Sequence, residues 1–144
     1  MDQYADSRFL VSCSVPDANA IAARTWLANN PVPLTYRSLH ALEVSNAFQL
    51  AICRGVISPA QAQAALANLQ TDLQSGRLVK AQVNWPLVMR LATSYTRKYS
   101  ASIDCRSLDI LHIPSAKSLQ ANQFVSFDLR QRSLAVQTGL PVGP

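Results

Sequence analysis

Short apolar runs that suit β-strands alternate along this chain with longer segments of helical spacing, and this alternation limits the folds it can adopt. Strands are predicted at 3–6, 33–36, 78–79, 123–127 and 140–142, and helices at 17–29, 38–53, 58–76, 84–96, 107–119 and 128–138. The polar and basic segment 97–106 is predicted to be a loop. Strands that alternate with helices favour a three-layer α/β sandwich, in which helices flank a mostly parallel central sheet. With 144 residues, the chain is predicted to form a single domain over residues 1–144.

Several predicted helices begin or end at residues with a recognised capping role. Ser58 is predicted to cap the third helix, with Pro59 at its first position and Gly76 just beyond its end. Ser38 and Ser107 are predicted to cap two other helices in the same way.

The cysteines and the N-terminal residues indicate the cellular compartment of the protein. The 3 cysteines are odd in number and far apart, with no C-x-x-C pair, so neither a disulfide framework nor a zinc site is expected. The first residues are acidic and are not followed by the apolar stretch of a secretory signal. No apolar run approaches the ~20 residues that span a bilayer. We therefore expect a cytoplasmic protein that does not enter a membrane.

The charge balance favours a polyanionic partner. Lys and Arg number 13 against 8 Asp and Glu, which gives a formal net charge of +5. A basic surface on a small domain is typical of proteins that bind nucleic acid, although solubility alone could also account for it.

Four of the acidic residues are placed where a site could form. The acids are Asp2, Asp6, Asp17, Glu43, Asp72, Asp104, Asp109 and Asp128. Asp6 and Asp128 follow predicted strands, whereas Glu43 lies in the second turn of one predicted helix and Asp109 in the first turn of another. Strand ends and helix starts share one rim of a parallel sheet, which is where ligands bind in such folds. These four carboxylates are therefore predicted to converge.

Convergence of four carboxylates would require a cation. Two carboxylates ~4 Å apart repel by roughly 4 kcal/mol at an effective dielectric constant of about 20. Oxygen ligands select hard ions, so Mg²⁺ or Mn²⁺ is expected at the four acids. Such an ion activates water and holds phosphate oxygens during hydrolysis. Simpler roles stay open: Asp128 could serve only as a helix N-cap, and Asp104 could compete with Asp109 for the site.

Four segments, taken in order, resemble the motifs of PIN domains, and more closely those of the VapC-type toxin ribonucleases of bacterial toxin–antitoxin pairs. They are residues 4–7 (YADS), 42–47 (LEVSNA), 106–112 (RSLDILH) and 124–130 (FVSFDLR). The third segment, in which Arg106 precedes Asp109 and His112, is the most specific of them. The resemblance covers nearly the whole chain, from Tyr4 to about Val142.

The resemblance implies a PIN-like fold and an endoribonuclease that depends on Mg²⁺ or Mn²⁺. It also implies a homodimer that a cognate VapB-like antitoxin inhibits. The implied metal ligands and catalytic residues are Asp6, Glu43, Asp109 and Asp128, with Ser7 and Ser126 as supporting hydroxyls. Arg8, Arg106, Arg130 and Arg132 lie near the site segments and are candidates for holding the RNA substrate.

Two histidines lie near the candidate ligands, and two other functions are compatible with parts of the sequence. His40 and His112 each lie three residues from a candidate ligand, and a structural role is favoured for both over a general base. A catalytically weak or inactive PIN-like module that binds RNA or protein is the alternative function. A phosphotransfer receiver ranks last, because Asp6 lacks an adjacent acid and neither Lys98 nor Lys117 follows a predicted strand.

Overall fold

The computed structural model describes residues 3–144, so Met1 and Asp2 lie outside the described residues. This part of the chain forms helices and short strands that alternate as predicted, and every strand pairing in it is parallel. The elements are β1 (Tyr4–Ala5), α1 (Ser7–Ser14), α2 (Ala20–Asn29), β2 (Leu34–Tyr36), α3 (Ser38–Cys53), α4 (Pro59–Ser75), β3 (Leu78–Lys80), α5 (Trp85–Ile103), α6 (Ser107–Ser118), β4 (Phe124–Val125), α7 (Leu129–Gln137) and β5 (Val142–Gly143). The predicted α/β class with parallel strands is confirmed. Over the same residues, no helix is long and apolar enough to cross a membrane.

The described chain divides into two compact units. We call residues 3–6 and 81–144 the Asp6 unit, and residues 7–80 the Glu43 unit. The prediction of one domain over residues 1–144 stays a prediction.

The Asp6 unit is built on a three-stranded sheet with β4 in the centre and β1 and β5 at its edges. Tyr4 pairs with Phe124 and Ala5 with Val125, and all four side chains are fully buried. The Tyr4 ring stacks on Phe124, and its hydroxyl lies 2.9 Å from Nδ1 of buried His112 in α6. Because β1 and β4 are parallel and in register, Asp6 and Ser126 leave the sheet at the same edge.

The Glu43 unit contains the parallel pair β2–β3, with Leu34 opposite Leu78, and the helices α1 to α4. Helix α4 has the predicted boundaries. The Ser58 hydroxyl accepts the backbone N–H of Gln61, while the Gln61 side chain accepts that of Ser58. At the other end Gly76 adopts φ +80°, a left-handed conformation that glycine reaches without a steric cost.

Two predictions about secondary structure are wrong, and the caps of two helices are shifted by one position. The first concerns helix α1, since no helix or strand is predicted between Asp6 and residue 17. Residues 97–103 belong to α5 rather than to a loop, since the exposed face of a long helix tolerates polar and basic side chains. Helix α5 ends at Asp104, which adopts φ 59° in the left-handed region that Asp tolerates better than most residues. The helices expected to begin with Ser38 and Ser107 as caps take Arg37 and Arg106 as N-cap residues, a shift of one position.

The reciprocal bonds at the start of α4 lead to a stability prediction. Ser58→Ala leaves the N–H of Gln61 without its side-chain acceptor and should lower the free energy of unfolding by about 1 kcal/mol in urea titrations. Ser75→Ala, at the exposed end of the same helix, is the matched control and should change the free energy by less than about 0.5 kcal/mol. Equal losses in the two variants would contradict the capping role of Ser58.

Candidate functional site

The hydroxyl of Ser126 lies at the centre of the polar cluster beyond β1 and β4. It lies 2.9 Å from Oδ2 of Asp6 and accepts the backbone N–H of Asp128 at 3.0 Å. Asp6 and Ser126 are almost completely buried, at 1% and 0% exposure. A carboxylate at this depth is costly unless charged or polar partners surround it. The Ser126 hydroxyl is such a partner for Asp6, while its predicted role as a supporting hydroxyl of a metal site stays a prediction.

Gln131 connects the same hydroxyl to the helix that carries Asp109. Its Oε1 lies 3.0 Å from the Ser126 hydroxyl, and its Nε2 donates to the backbone carbonyl of Asp109 at 3.0 Å. The Gln131 side chain is 1% exposed. Sequence reasoning missed this residue, because a glutamine in the first turn of a helix is ordinarily a surface residue.

Asp128 caps α7, as the simpler reading of its position suggested. Its Oδ1 accepts the backbone N–H groups of Arg130 and Gln131 at 2.9 and 3.1 Å. The carboxylate is half-buried, and this use of Oδ1 holds it at the helix start. A cap role and a ligand role are compatible in a carboxylate, because its two oxygens together offer about four lone-pair sites.

The pKa of the half-buried Cys105 thiol depends on the charged residues around it. The pKa of Cys105 is raised to about 11, mainly by burial and in addition by the carboxylates of Asp109 and Asp128, whereas Arg130 lowers it. Asp109 and Asp128 therefore both act on one thiol.

In the Glu43 unit, two of the predicted site residues contact each other. The hydroxyl of Ser7 donates to Oε1 of Glu43 at 3.0 Å. Ser7 is 5% exposed at the start of α1, and Glu43 is half-buried on α3. Arg8, the next residue, is exposed. Leu42, which precedes Glu43 on α3, is 66% exposed.

The other candidate RNA-binding arginines differ in their surroundings. Arg106 is exposed immediately before α6. Arg130 pairs with Asp104 at 3.5 Å, and both side chains are well exposed. Arg132 donates to the backbone carbonyl of Ser126 at 2.9 Å, so its guanidinium helps to fix the turn after β4. These contacts leave Arg106 as the arginine of the Asp6 unit best placed for an external partner.

The structure also shows a basic helix face that the sequence analysis took for part of a loop. Arg90, Arg97 and Lys98 are exposed on α5, beside a groove of about 610 Å³ that Met89, Thr93 and Ser94 also line. Residues seven and eight positions apart share one face of a helix. Only the true length of α5 reveals this alignment of cations.

The donor chemistry of the site fits a hard divalent ion, since its candidate ligands are carboxylates and its supporting groups are hydroxyls. Within residues 3–144, however, no three side chains of His, Cys, Asp or Glu are grouped closely enough to form a ready metal site.

Comparison with solved structures identifies the fold. VapC20 of Mycobacterium tuberculosis, a sarcin–ricin loop cleaving toxin, is 15% identical over 96% of both chains, with a TM-score of 0.69. FitAcB of Neisseria gonorrhoeae is 14% identical over 98% of this chain and 96% of its own, with a TM-score of 0.63. VapBC2 of Rickettsia felis, bound to a DNA fragment from its promoter, is 14% identical over 99% and 98%, with a TM-score of 0.58.

The chain has a PIN-like fold. The resemblance to PIN domains in the sequence is thereby confirmed at the level of the fold. No family model matches the chain, and no curated protein matches it either. The chain therefore shares its fold with these three proteins, although its sequence is only 14–15% identical to theirs.

The raised pKa of Cys105 predicts slow alkylation. With a pKa of about 11, its thiolate fraction at pH 8 is at least ~100-fold below that of a free cysteine. Iodoacetamide labelling followed by mass spectrometry should therefore modify the exposed Cys53 long before Cys105. Asp109→Asn removes a negative neighbour, lowers the pKa of Cys105 and should speed its labelling. Equal labelling rates at Cys53 and Cys105 would contradict the burial of Cys105 and the effect of its acidic neighbours.

Proposed function

We propose that this chain is a cytoplasmic, divalent-metal-dependent endoribonuclease and the toxin of a toxin–antitoxin pair. The observation that carries the proposal is the cluster around the Ser126 hydroxyl. It joins the Asp6 carboxylate, the backbone of Asp128 and, through Gln131, the backbone of Asp109. Hydrogen bonds therefore link the Asp6 side chain to the backbones of two further acids predicted from sequence.

The proposed metal ligands are Asp6, Asp109, Asp128 and Glu43. The first three belong to the Asp6 unit. Glu43 belongs to the other unit, and its place among the ligands is carried over from the resemblance to VapC-type toxins. A bound Mg²⁺ or Mn²⁺ ion would lower the pKa of a water molecule and neutralise charge on the scissile phosphate.

The residues around the proposed ligands have separate tasks. The Ser126 hydroxyl holds one oxygen of Asp6, and the burial of Asp6 keeps competing water away from it. The first turns of α6 and α7 carry Asp109 and Asp128, and the N-terminal ends of helices favour negative charge.

For the substrate, we propose RNA held by Arg106 and by the basic face of α5. Arg106 lies three residues before Asp109, and α5 leads through Asp104 into the same connection. A row of exposed cations suits the evenly spaced phosphates of a single strand. One structural neighbour is an RNA-cleaving toxin, which supports this substrate class.

For partners, we propose a cognate VapB-like antitoxin and a second copy of this chain. The VapBC2 and FitAcB neighbours support the antitoxin. The homodimer is carried over from the resemblance to VapC-type toxins.

One observation favours the second candidate, a PIN-like module that binds RNA or protein without cleaving it. The described residues contain no ready group of three metal-binding side chains. In that case RNA binding would persist without turnover, and added metal would leave the melting temperature unchanged.

Substitution of the proposed ligands separates the two functions. Asp6→Asn and Asp109→Asn keep the size of each side chain but remove its charge, and each should reduce the rate of Mg²⁺- or Mn²⁺-dependent RNA cleavage about 100-fold or more. Asp104→Asn is the control, because Asp104 is exposed and pairs only on the surface with Arg130. It should retain nearly full activity. Cleavage that continues in excess EDTA would exclude the metal mechanism.

The RNA contacts are tested by the dependence of binding on salt concentration. In an Asp109→Asn background, which prevents turnover, Arg106→Gln and Arg97→Gln should each weaken RNA binding. Each should also reduce the slope of log Kd against log salt concentration by about 0.7, the value for one contact to a single strand. Arg54→Gln, an exposed change in the Glu43 unit, is the control. Identical slopes in all variants would remove these residues from the RNA-binding surface.

A further inference from the structure

Gln131 is buried where its sequence position gives no reason for burial. It lies in the first turn of α7 and is 1% exposed. A buried amide without partners would cost several kcal/mol, so each of its ends needs a partner within hydrogen-bonding distance. The Nε2 group donates to the Asp109 carbonyl, and Oε1 faces the Ser126 hydroxyl, each at 3.0 Å.

The hydrogen bond from Gln131 to the Asp109 carbonyl holds the backbone of Asp109 against α7, the helix that Asp128 caps. A carbonyl oxygen has two lone pairs, so it can accept the amide of Gln131 in addition to a bond within its own helix. Gln131 therefore ties the first turn of α6 to the first turn of α7. Asp109 and Asp128 are carried by these two helix starts.

The bond to Ser126 connects Gln131 with Asp6. The hydroxyl has a single proton and two acceptors within reach, Oδ2 of Asp6 at 2.9 Å and Oε1 of Gln131 at 3.0 Å. The charged carboxylate is the stronger acceptor, and Gln131 is the alternative one. Gln131 therefore helps to restrain the Ser126 hydroxyl, which in turn orients the Asp6 carboxylate.

We propose that Gln131 is a positioning residue for the metal site. It keeps the backbone of Asp109 and the hydroxyl that orients Asp6 at a fixed separation, so that both carboxylates can reach one divalent cation. Gln131 itself contacts neither the cation nor RNA. This inference rests on the proposed nuclease function. It adds to that function a residue outside the motifs of the four resembling segments.

Replacement by methionine distinguishes positioning from a purely structural role. Gln131→Met keeps the length of the side chain but removes both hydrogen bonds. Mn²⁺ affinity, measured without RNA from the rise in melting temperature during a metal titration, should fall about 10-fold, as expected when a supporting bond to a ligand is lost. The kcat should fall by a similar factor, while the KM for RNA stays unchanged. Gln137→Met, an exposed change on the same helix, is the control and should leave all three values unaltered.

A double-mutant cycle examines the connection through Ser126. Because Gln131 and Ser126 act in one network, the combined loss of Mn²⁺ affinity in Gln131→Met with Ser126→Ala should be smaller than the sum of the separate losses, expressed as free energies. If the methionine variant does not fold, Gln131→Asn takes its place. It keeps an amide but is one methylene too short to reach both partners.

The outcomes separate this inference from the function on which it rests. Wild-type Mn²⁺ affinity and kcat in a folded Gln131→Met protein would overturn the positioning role, even if its stability had fallen. If Asp109→Asn also left Mn²⁺ affinity unchanged, the proposed metal site itself would fail. Weakened affinity in Asp109→Asn together with normal affinity in Gln131→Met would reject only the role of Gln131.

Discussion

The parallel pairing of β1 with β4 is the constraint on which the candidate site depends. It places Asp6 beside Ser126, 120 residues later in the chain, and a hydrogen bond of 2.9 Å joins their side chains. The strands contribute only two residues each, so their register is set mainly by what they bury. Tyr4 and Phe124 stack within this core, and His112 bonds to the Tyr4 hydroxyl. The buried aromatic pair and the polar cluster therefore fix the same register from adjacent positions.

Burial of Asp6 determines how the neighbouring residues must be arranged. An ionised carboxylate at 1% exposure is costly, and hydrogen bonds offset that cost only when their donors are already in place. The turn after β4 supplies this order, because Arg132 donates to the Ser126 carbonyl and Asp128 donates its N–H to the Ser126 hydroxyl. The start of α7 is in turn held by the Asp128 carboxylate. A single short segment thus supports a buried charge and begins a helix.

Charge is distributed unevenly within the Asp6 unit. Asp109 and Asp128 lie where α6 and α7 begin, and both raise the pKa of the Cys105 thiol. Exposed cations occupy the outer face of α5, which ends just before that region. In the proposed nuclease this separation would be useful, since the acids would hold a cation and the basic face would attract phosphate. Either feature alone would be ordinary on a protein surface.

The sequence by itself determined the alternation of strands and helices, the parallel class of the sheet and the positions of Asp6, Asp109 and Asp128 at strand ends and helix starts. These features follow from local periodicity and capping, which a sequence displays directly. Tertiary structure decided the role of Gln131 and the extent of α5.

Asp128 and Gln131 have the spacing of a capping box, in which Gln131 would accept the N–H of Asp128. Ser126 accepts that N–H instead, so the Gln131 side chain turns inward to Asp109. Such a choice depends on partners that are distant in the chain, and no local pattern encodes it.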